Sequence, residues 1–405
     1  MSKFHYLIII CLILLSISSV YFFIPNNENS FAKTADEGYY LQFATIIAKK
    51  GISQFPSLVK SYAENTQLHL YPPPSRVGHI FLTALWLKFF GINFTILARF
   101  SFFCFLLFIL VCFYYCRKFF DEDTAYLFVL LLSSSPLIMA MGKRALSDSN
   151  INLFWALSIW TFLDFLLTNK KSKFIIFLII YSFSITIKES SVVLLIFFLA
   201  FLLIYKYYFR NFISNIYVFY LIFIPFFIVG IFYLILFGGW SNSLGLIRGL
   251  LDAHFGSVKL SQYAVLFCTG PWYRYIIDYL LLSPITTLLF IGYIGYILTT
   301  RKWNLKTIYF LVYFVIIFAI FSSLKYSKVV RFVINLDMVI SLFSIFMLYT
   351  LFKNENKRKQ TRLVFISAIL IFFINYLNFI YLFCHLNIYD PITFWLLVAK
   401  RLIPT

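Results

Sequence analysis

Residues 95–116 read TILARFSFFCFLLFILVCFYYC, and Arg99 is the only charge in that stretch. As a helix rising about 1.5 Å per residue, it is long enough to cross a hydrocarbon core about 30 Å thick. Similar runs recur along the whole 405-residue chain, near 4–24, 124–141, 150–168, 174–187, 190–205, 212–237, 276–299, 307–323, 332–352 and 363–383. A shorter apolar stretch, 77–90, carries His79 and Lys88. Composition agrees: 62% of residues are hydrophobic, 22% aromatic and 12% charged, about half the charge of a water-soluble domain. Mean hydropathy is +0.89. Such a chain cannot cover a globule with polar surface, which excludes a soluble enzyme, a disordered protein and a disulfide scaffold. The reading is an all-α polytopic membrane protein, one integral-membrane domain over 1–405 with about 11 transmembrane helices.

The net charge of +19 needs an explanation, because charge is costly in lipid. Nucleic acid is not the partner, since the basic residues are scattered between apolar runs and form no soluble basic face. Most clusters fit loop signals instead: Arg117-Lys118, Lys170-Lys171-Lys173, Lys206 with Arg210, Arg301-Lys302-Lys306, and the run from Lys353 to Arg362. Placing these and Lys3 on the cytoplasmic side lets the later spans alternate without conflict. Segments 25–75, 142–149, 188–189, 238–275, 324–331 and the tail from His385 then face outward, and 77–90 becomes a re-entrant or surface helix. Run 4–24 is read as an uncleaved anchor, because many spans follow it. The six cysteines show no CxxC or Cys/His ligand spacing and read as small apolar packing residues.

Sixteen of the 34 basic residues serve orientation in this arrangement. The others leave the outward face rich in cations, close to lipid. There Asp36-Glu37 opens an amphipathic stretch to Lys50, with Tyr40, Phe43, Ala44, Ile47 and Ala48 at helical spacing. The acids are either favourable charges at a helix N-terminus or a general base held at the membrane surface. Tyr71-Pro72-Pro73-Pro74-Ser75 stiffens the approach to Arg76, which either snorkels or meets an anion such as phosphate. Lys143-Arg144 precedes Asp148 at the junction of two spans, where Asp148 is a candidate helix-start residue. Lys188-Glu189 sits between two short apolar runs, as a local salt bridge or a cation aimed at a ligand. Lys325, Lys328 and Arg331 recur every three residues, so on a helix they share a face, with no acid nearby in sequence. One face with carboxylates and many cations suits a phosphate carried on a lipid.

At these residues the chain resembles the GT-C glycosyltransferases that use polyprenyl-phosphate sugars, the protein O-mannosyltransferase and aminoarabinose transferase group. Asp36-Glu37-Gly38-Tyr39-Tyr40 is similar to the acidic motif of their first loop, and Tyr71 to Pro74 with the stretch from Gly91 to Arg99 to their Pro-Pro and Gly…Ala-Arg elements. Ser135-Pro136 through Asp148 resembles their second acidic motif. Lys188 falls where many members carry Lys-Gly. Gly270-Pro271-Trp272-Tyr273 to Pro284, and Lys325 to Arg331, resemble later elements. Together these cover roughly residues 1–340. There are departures. Pro72-Pro73 stand where the aminoarabinose transferases carry Glu-Lys, Glu189 replaces the Gly after Lys188, and no large soluble C-terminal domain follows.

The resemblance implies a GT-C-like bundle with outer-face juxtamembrane helices in 25–75 and a second large outer loop at 238–275. It also implies an inverting sugar transfer from a polyprenyl-phosphate donor to a protein or glycolipid acceptor, at the outer face of a bacterial cytoplasmic membrane. In that reading Asp36 is the base, and Glu37 and Asp148 orient the acceptor, tune the base or hold a cation. Arg76, Lys188, Lys325, Lys328 and Arg331 are the phosphate candidates, and Tyr39, Arg144, Trp272, Tyr273 and Arg274 the acceptor or loop candidates. A divalent cation is left open; His69 and His79 are lone histidines, and no His cluster supports a dedicated metal site. Two rivals use the same cations without this chemistry. One is a lipid-linked saccharide flippase, which would show repeat symmetry not evident here. The other is a polymer ligase using Arg248, His254 and Lys259 of 238–275.

Overall fold

The computed structural model describes residues 1–25, 36–210, 214–256, 261–301, 303–326, 328–388 and 390–399. Lys259, Lys302 and the side chain of His254 lie outside them, as do 26–35, 257–260 and the end of the tail, 400–405. Every secondary-structure element of the described chain is helical, and the chain divides into two units, each assembled from separate stretches of sequence.

The first unit comprises Met1–Phe23, Phe105–Lys143 and Gly270–Thr405, the second Ile24–Cys104 and Arg144–Thr269. In chain order the helices are α1 (Lys3–Phe22), α2 (Asp36–Lys50), α3 (Phe55–Glu64), α4 (Val77–Phe90), α5 (Phe94–Phe119), α6 (Glu122–Ser133) and α7 (Pro136–Gly142). Then follow α8 (Asp148–Thr168), α9 (Lys171–Ile187), α10 (Val193–Tyr207), α11 (Asn215–Leu236), α12 (Trp240–Phe255) and α13 (Gln262–Phe267). The last are α14 (Arg274–Leu282), α15 (Pro284–Thr300), α16 (Leu305–Ser323), α17 (Asp337–Leu351), α18 (Lys357–Asn378) and α19 (Pro391–Ala399).

Among the described residues, eight helices are long and apolar enough to cross a membrane, or nine if the bent pair α6–α7 counts as one span. The expected count of about 11 is therefore too high, for three local reasons. The 124–141 run bends by 65° between α6 and α7, where Pro136 starts a new helix and withholds a backbone N–H. The 276–299 run breaks at Ser283-Pro284 into α14 and α15. The 174–187 run is the apolar part of α9, only 17 residues long with lysines in its first turn. The helix expected over 77–90 is present as α4.

Inside the first unit, side chains add hydrogen bonds at the α14–α15 break, beside the backbone bonds from Ser283 N–H to Tyr279 O and from Thr287 N–H to Ser283 O. Thr287 Oγ1 lies 2.8 Å from Ser283 O and 3.0 Å from Tyr279 O, and Asn378 Nδ2 donates to Leu282 O at 3.0 Å. Helix α17 packs on α15, α6 and α18, with Phe343 and Phe314 against Phe290. Side-chain caps set the starts of α6, α16 and α18, where Asp121, Asn304 and Asn356 accept backbone N–H groups.

Inside the second unit, α8 and α9 form a hairpin joined through Asn169, whose left-handed conformation (φ 50°) ends α8. Aromatic rings fill the seam: Phe162 meets Phe177 at 4.8 Å and Phe198 of α10 at 4.7 Å, and Phe165 meets Phe174 at 4.8 Å. Helix α4 approaches the end of α9 so closely that a Cβ on Gly78 would lie 2.4 Å from Thr186 Oγ1. That approach brings Arg76, just before α4, to the residues that follow α9. Helices α2 and α4 also pack together, as do α3 and α12.

Candidate functional site

The second unit gathers most of the acidic and basic residues singled out in the sequence. The motif at 36–40 opens α2, with Asp36 and Glu37 in the first turn, where the helix dipole favours negative charge. Asp36 is half-buried, and Glu37 is buried with 5% of its side chain exposed. The Glu37 carboxylate accepts from Arg144 Nε at 3.1 Å and Nη2 at 3.4 Å, and from the Ala145 backbone N–H at 3.1 Å. Glu37 thereby ties the start of α2 to the turn that leads into α8, and Arg144 is engaged by this carboxylate.

One helical turn along α2, the Tyr40 hydroxyl meets Ser147 Oγ at 2.9 Å and accepts from Arg76 Nη1. Burial pushes the Tyr40 phenol up to about 12 against the pull of Arg76, and the Asp36 charge adds to the rise. Arg76 also faces Glu189 side-on, with Nε donating to Oε2 at 3.0 Å and Nη2 to Oε1. Burial works against the guanidinium charge, but Glu189 and Tyr40 more than offset it and hold Arg76 above the ordinary arginine value. The neighbouring Lys188 turns the other way, donating to Asp148 Oδ1 at 3.0 Å with 8% and 1% of the two side chains exposed. The extended backbone at Lys188 (φ −157°, ψ 130°) allows adjacent side chains to diverge. Lys188 and Glu189 therefore do not bridge each other.

These contacts connect into one network. Tyr40 joins Arg76 to Ser147, Ser147 precedes Asp148, and Asp148 holds Lys188. His79 lies against Tyr40 edge-on, with ring centroids 4.6 Å apart, and its Nδ1 sits 3.2 Å from Asn150 Nδ2. Among the described residues, four carboxylates (Asp36, Glu37, Asp148, Glu189) stand here with three of the expected cations (Arg76, Arg144, Lys188). Beside it Tyr39 stacks on Tyr71 at 4.2 Å, and burial with the neighbouring Tyr71 raises the Tyr39 phenol. Sequence reasoning missed Tyr40, Ser147 and Glu189. Helical spacing puts Tyr40 on the apolar face of its helix, and the partner of Glu189 lies 113 positions away.

The remaining phosphate and loop candidates belong to the first unit. Lys325, Lys328 and Arg331 do not share a helical face: 324–326 and 328–329 are irregular, and Arg331 lies in a 3₁₀ turn, Val330–Leu336. Lys328 is buried and donates to Gly270 O at 2.7 Å and Pro271 O at 3.3 Å, and burial with the nearby Arg274 charge lowers its pKa. Its role in this structure is to anchor backbone. Lys325 is exposed and Arg331 half-buried. Trp272 and Tyr273 are exposed, whereas Arg274 is buried and bound to Asp390. Both lone histidines have protein partners, His69 lying 2.7 Å from Asp252 and 3.0 Å from Tyr62 O. Among the described residues no three His, Cys, Asp or Glu side chains gather as a metal-holding group.

Residues 74–233 match the family described as dolichyl-phosphate-mannose-protein mannosyltransferase. No curated protein sequence matches the chain. Among solved structures it is similar to ArnT from Cupriavidus metallidurans bound to undecaprenyl phosphate, with a TM-score of 0.58 and 14% identity over 91% of this chain. It is similar also to the apo state of that ArnT, with a TM-score of 0.59 and 14% identity over 89% of this chain. The chain spans 64% and 62% of the lengths of those two chains. The chain is thus a polytopic membrane protein that shares the fold of that ArnT, and its segment 74–233, which runs through Arg76, Arg144, Asp148 and Lys188, is similar to the dolichyl-phosphate-mannose-protein mannosyltransferases.

Proposed function

We propose that the chain is an inverting glycosyltransferase that moves a sugar from a polyprenyl-phosphate donor to a protein or glycolipid acceptor on the extracytoplasmic side of the membrane. The observation that carries this reading is the Asp36 carboxylate at the start of α2, one turn from a tyrosine that takes the Arg76 guanidinium. The fold shared with a protein solved with undecaprenyl phosphate supports the donor class.

In this reading Asp36 takes the proton from an acceptor hydroxyl or amine as that atom attacks the anomeric carbon. The bond from this carbon to the phosphate oxygen breaks, and the electron pair leaves on polyprenyl phosphate. Attack opposite the leaving group inverts the centre. A phosphate leaves readily, so charge stabilisation serves it better than a protonating acid. Arg76 and Lys188 supply that charge, each oriented by its own carboxylate, and Lys325 and Arg331 are further donor-phosphate candidates on charge alone. Glu37 holds the base-bearing helix start, and Asp148 holds Lys188. Lys328 and Arg274, committed to protein partners, take no direct part.

The test is mass spectrometry of envelope glycans and glycoproteins in a strain lacking the chain, complemented with wild type or Asp36→Asn. One glycan unit should disappear in the deletion, return with wild type and stay absent with Asp36→Asn. Its return with Asp36→Asn at normal abundance would remove Asp36 as the base.

A further inference from the structure

A second buried polar cluster, wholly inside the first unit, ties three distant stretches of chain together. Asp390 is 1% exposed. Its Oδ1 accepts from Arg274 Nη2 at 3.1 Å and from the Thr393 N–H at 2.9 Å, and its Oδ2 accepts from the Val330 N–H at 2.8 Å. Arg274 Nη2 also donates to Thr393 Oγ1 at 2.9 Å, and Asp278 Oδ1 accepts from the Ile392 N–H at 3.3 Å. Lys328, two residues before Val330, is fixed by its bonds to Gly270 O and Pro271 O. The chain between Lys325 and Arg331 is thus held at two positions, at Lys328 by its own side chain and at Val330 by a carboxylate from just before α19. These two anchors fix Lys328 and Val330, the positions between which the chain turns into the 3₁₀ turn that carries Arg331, and so they bear on how the flanking cations are presented.

We propose that Asp390, backed by Arg274, is a positioning residue for the segment carrying Lys325 and Arg331, so that the last helix of the described chain sets affinity for the phosphate of a lipid-linked donor. This rests on the reading that Lys325 and Arg331 meet that phosphate. The anchors are specific to a carboxylate. Both Asp390 oxygens face N–H donors, so an amide in its place points its own NH₂ at a donor whichever way it turns. Asn at 390 keeps the size of the side chain and loses one anchor.

The test uses the full chain in lipid nanodiscs, with undecaprenyl phosphate as probe and undecaprenol, which has no phosphate, as control. Asp390→Asn should weaken undecaprenyl phosphate about tenfold and leave undecaprenol unchanged. The double variant Lys325→Ala/Arg331→Ala should weaken the phosphate lipid at least as much. If the double variant loses affinity while Asp390→Asn binds like wild type, the positioning role is wrong and the phosphate reading stands. If the double variant also binds like wild type, the phosphate reading of this segment fails and takes the positioning role with it. Equal weakening of both lipids by Asp390→Asn points to general loosening of the fold and likewise overturns the proposal. Should Asp390→Asn not be recovered folded, Thr393→Val, which removes an acceptor of Arg274 and keeps the backbone N–H that Asp390 takes, carries the same comparison with a smaller effect in the same direction.

Discussion

Arg76 and Glu189, 113 positions apart, meet side-on through two of the guanidinium's nitrogens, while a third nitrogen reaches the Tyr40 hydroxyl. A planar fork against a planar carboxylate fixes orientation as well as charge, which an ammonium cannot do. The pair joins the start of α4 to the turn after α9, and Tyr40 brings in α2. Three separate elements therefore take their relative positions from one guanidinium.

Arg76→Lys keeps the charge and loses the fork. It should cut sugar transfer by at least tenfold with little change in the amount of folded protein. Glu189→Gln should act in the same direction, since it leaves Arg76 charged and facing a neutral partner. Transfer rates per folded molecule, from glycan mass spectrometry against protein abundance, decide the matter. Wild-type rates for Arg76→Lys would show that the fork geometry is dispensable.

Lys188 and Asp148 form a pair almost closed to solvent. Losing one member leaves a buried charge without its partner, at a cost on the order of 3–5 kcal/mol. Lys188→Met and Asp148→Asn should each lower the melting temperature of the detergent-solubilised protein markedly. The double variant should be more stable than the sum of the single losses allows. Additive losses would mean that the two side chains do not depend on each other.

Asp278 lies beside Asp390 with one guanidinium, Arg274, between them. Burial, and then the Asp390 charge, push its carboxyl up to about 8 from the ordinary 3.8, against the pull of Arg274 and the Ile392 N–H. Between those values the folded chain holds a proton that the unfolded chain releases, so stability falls as pH rises through this window and levels off above it. The melting temperature should therefore decline from about pH 5 to pH 8, and Asp278→Asn should flatten that decline. Parallel profiles for the two proteins would rule out Asp278 as the titrating group.

Sidedness is testable at two exposed positions. Glu64, at the end of α3, belongs to the segment read as facing outward, and Lys357, at the start of α18, to a loop read as cytoplasmic. With native cysteines replaced by serine, a membrane-impermeant maleimide on intact cells should label Glu64→Cys and spare Lys357→Cys. Labelling of Lys357→Cys alone would invert the arrangement.

Much of the fold was legible because hydropathy reports span length directly, and the apolar runs reappear as helices. Where the reading overcounted, the cause was local: Pro136 and Pro284 divide runs whose hydropathy is continuous. For the site, Asp36-Glu37 at a helix start and Asp148 at another were readable from neighbouring residues alone. Pairings were not. Nothing near Lys188 or Glu189 reveals that one faces Asp148, 40 positions back, and the other Arg76, much farther back. The three-residue spacing of Lys325, Lys328 and Arg331 mimicked a helical face, yet Lys328 spends its ammonium on two carbonyls of a distant loop. Periodicity carries local geometry; it holds no information about which charges meet across the fold.

The break between α14 and α15 bears on how this chain tolerates substitution. On any hydropathy scale, replacing Thr287 by Val or Asn378 by Leu looks like an improvement for a protein in lipid. At these two positions it is the reverse, because Asn378 Nδ2 holds the Leu282 carbonyl, and the Thr287 hydroxyl adds a second bond to carbonyls of Tyr279 and Ser283 that backbone N–H groups already hold. Leu at 378 would take that donor from the Leu282 carbonyl, and Val at 287 would leave the other two carbonyls with one bond each. The residues least suited to a membrane by composition are thus the ones that let a broken helix live in it.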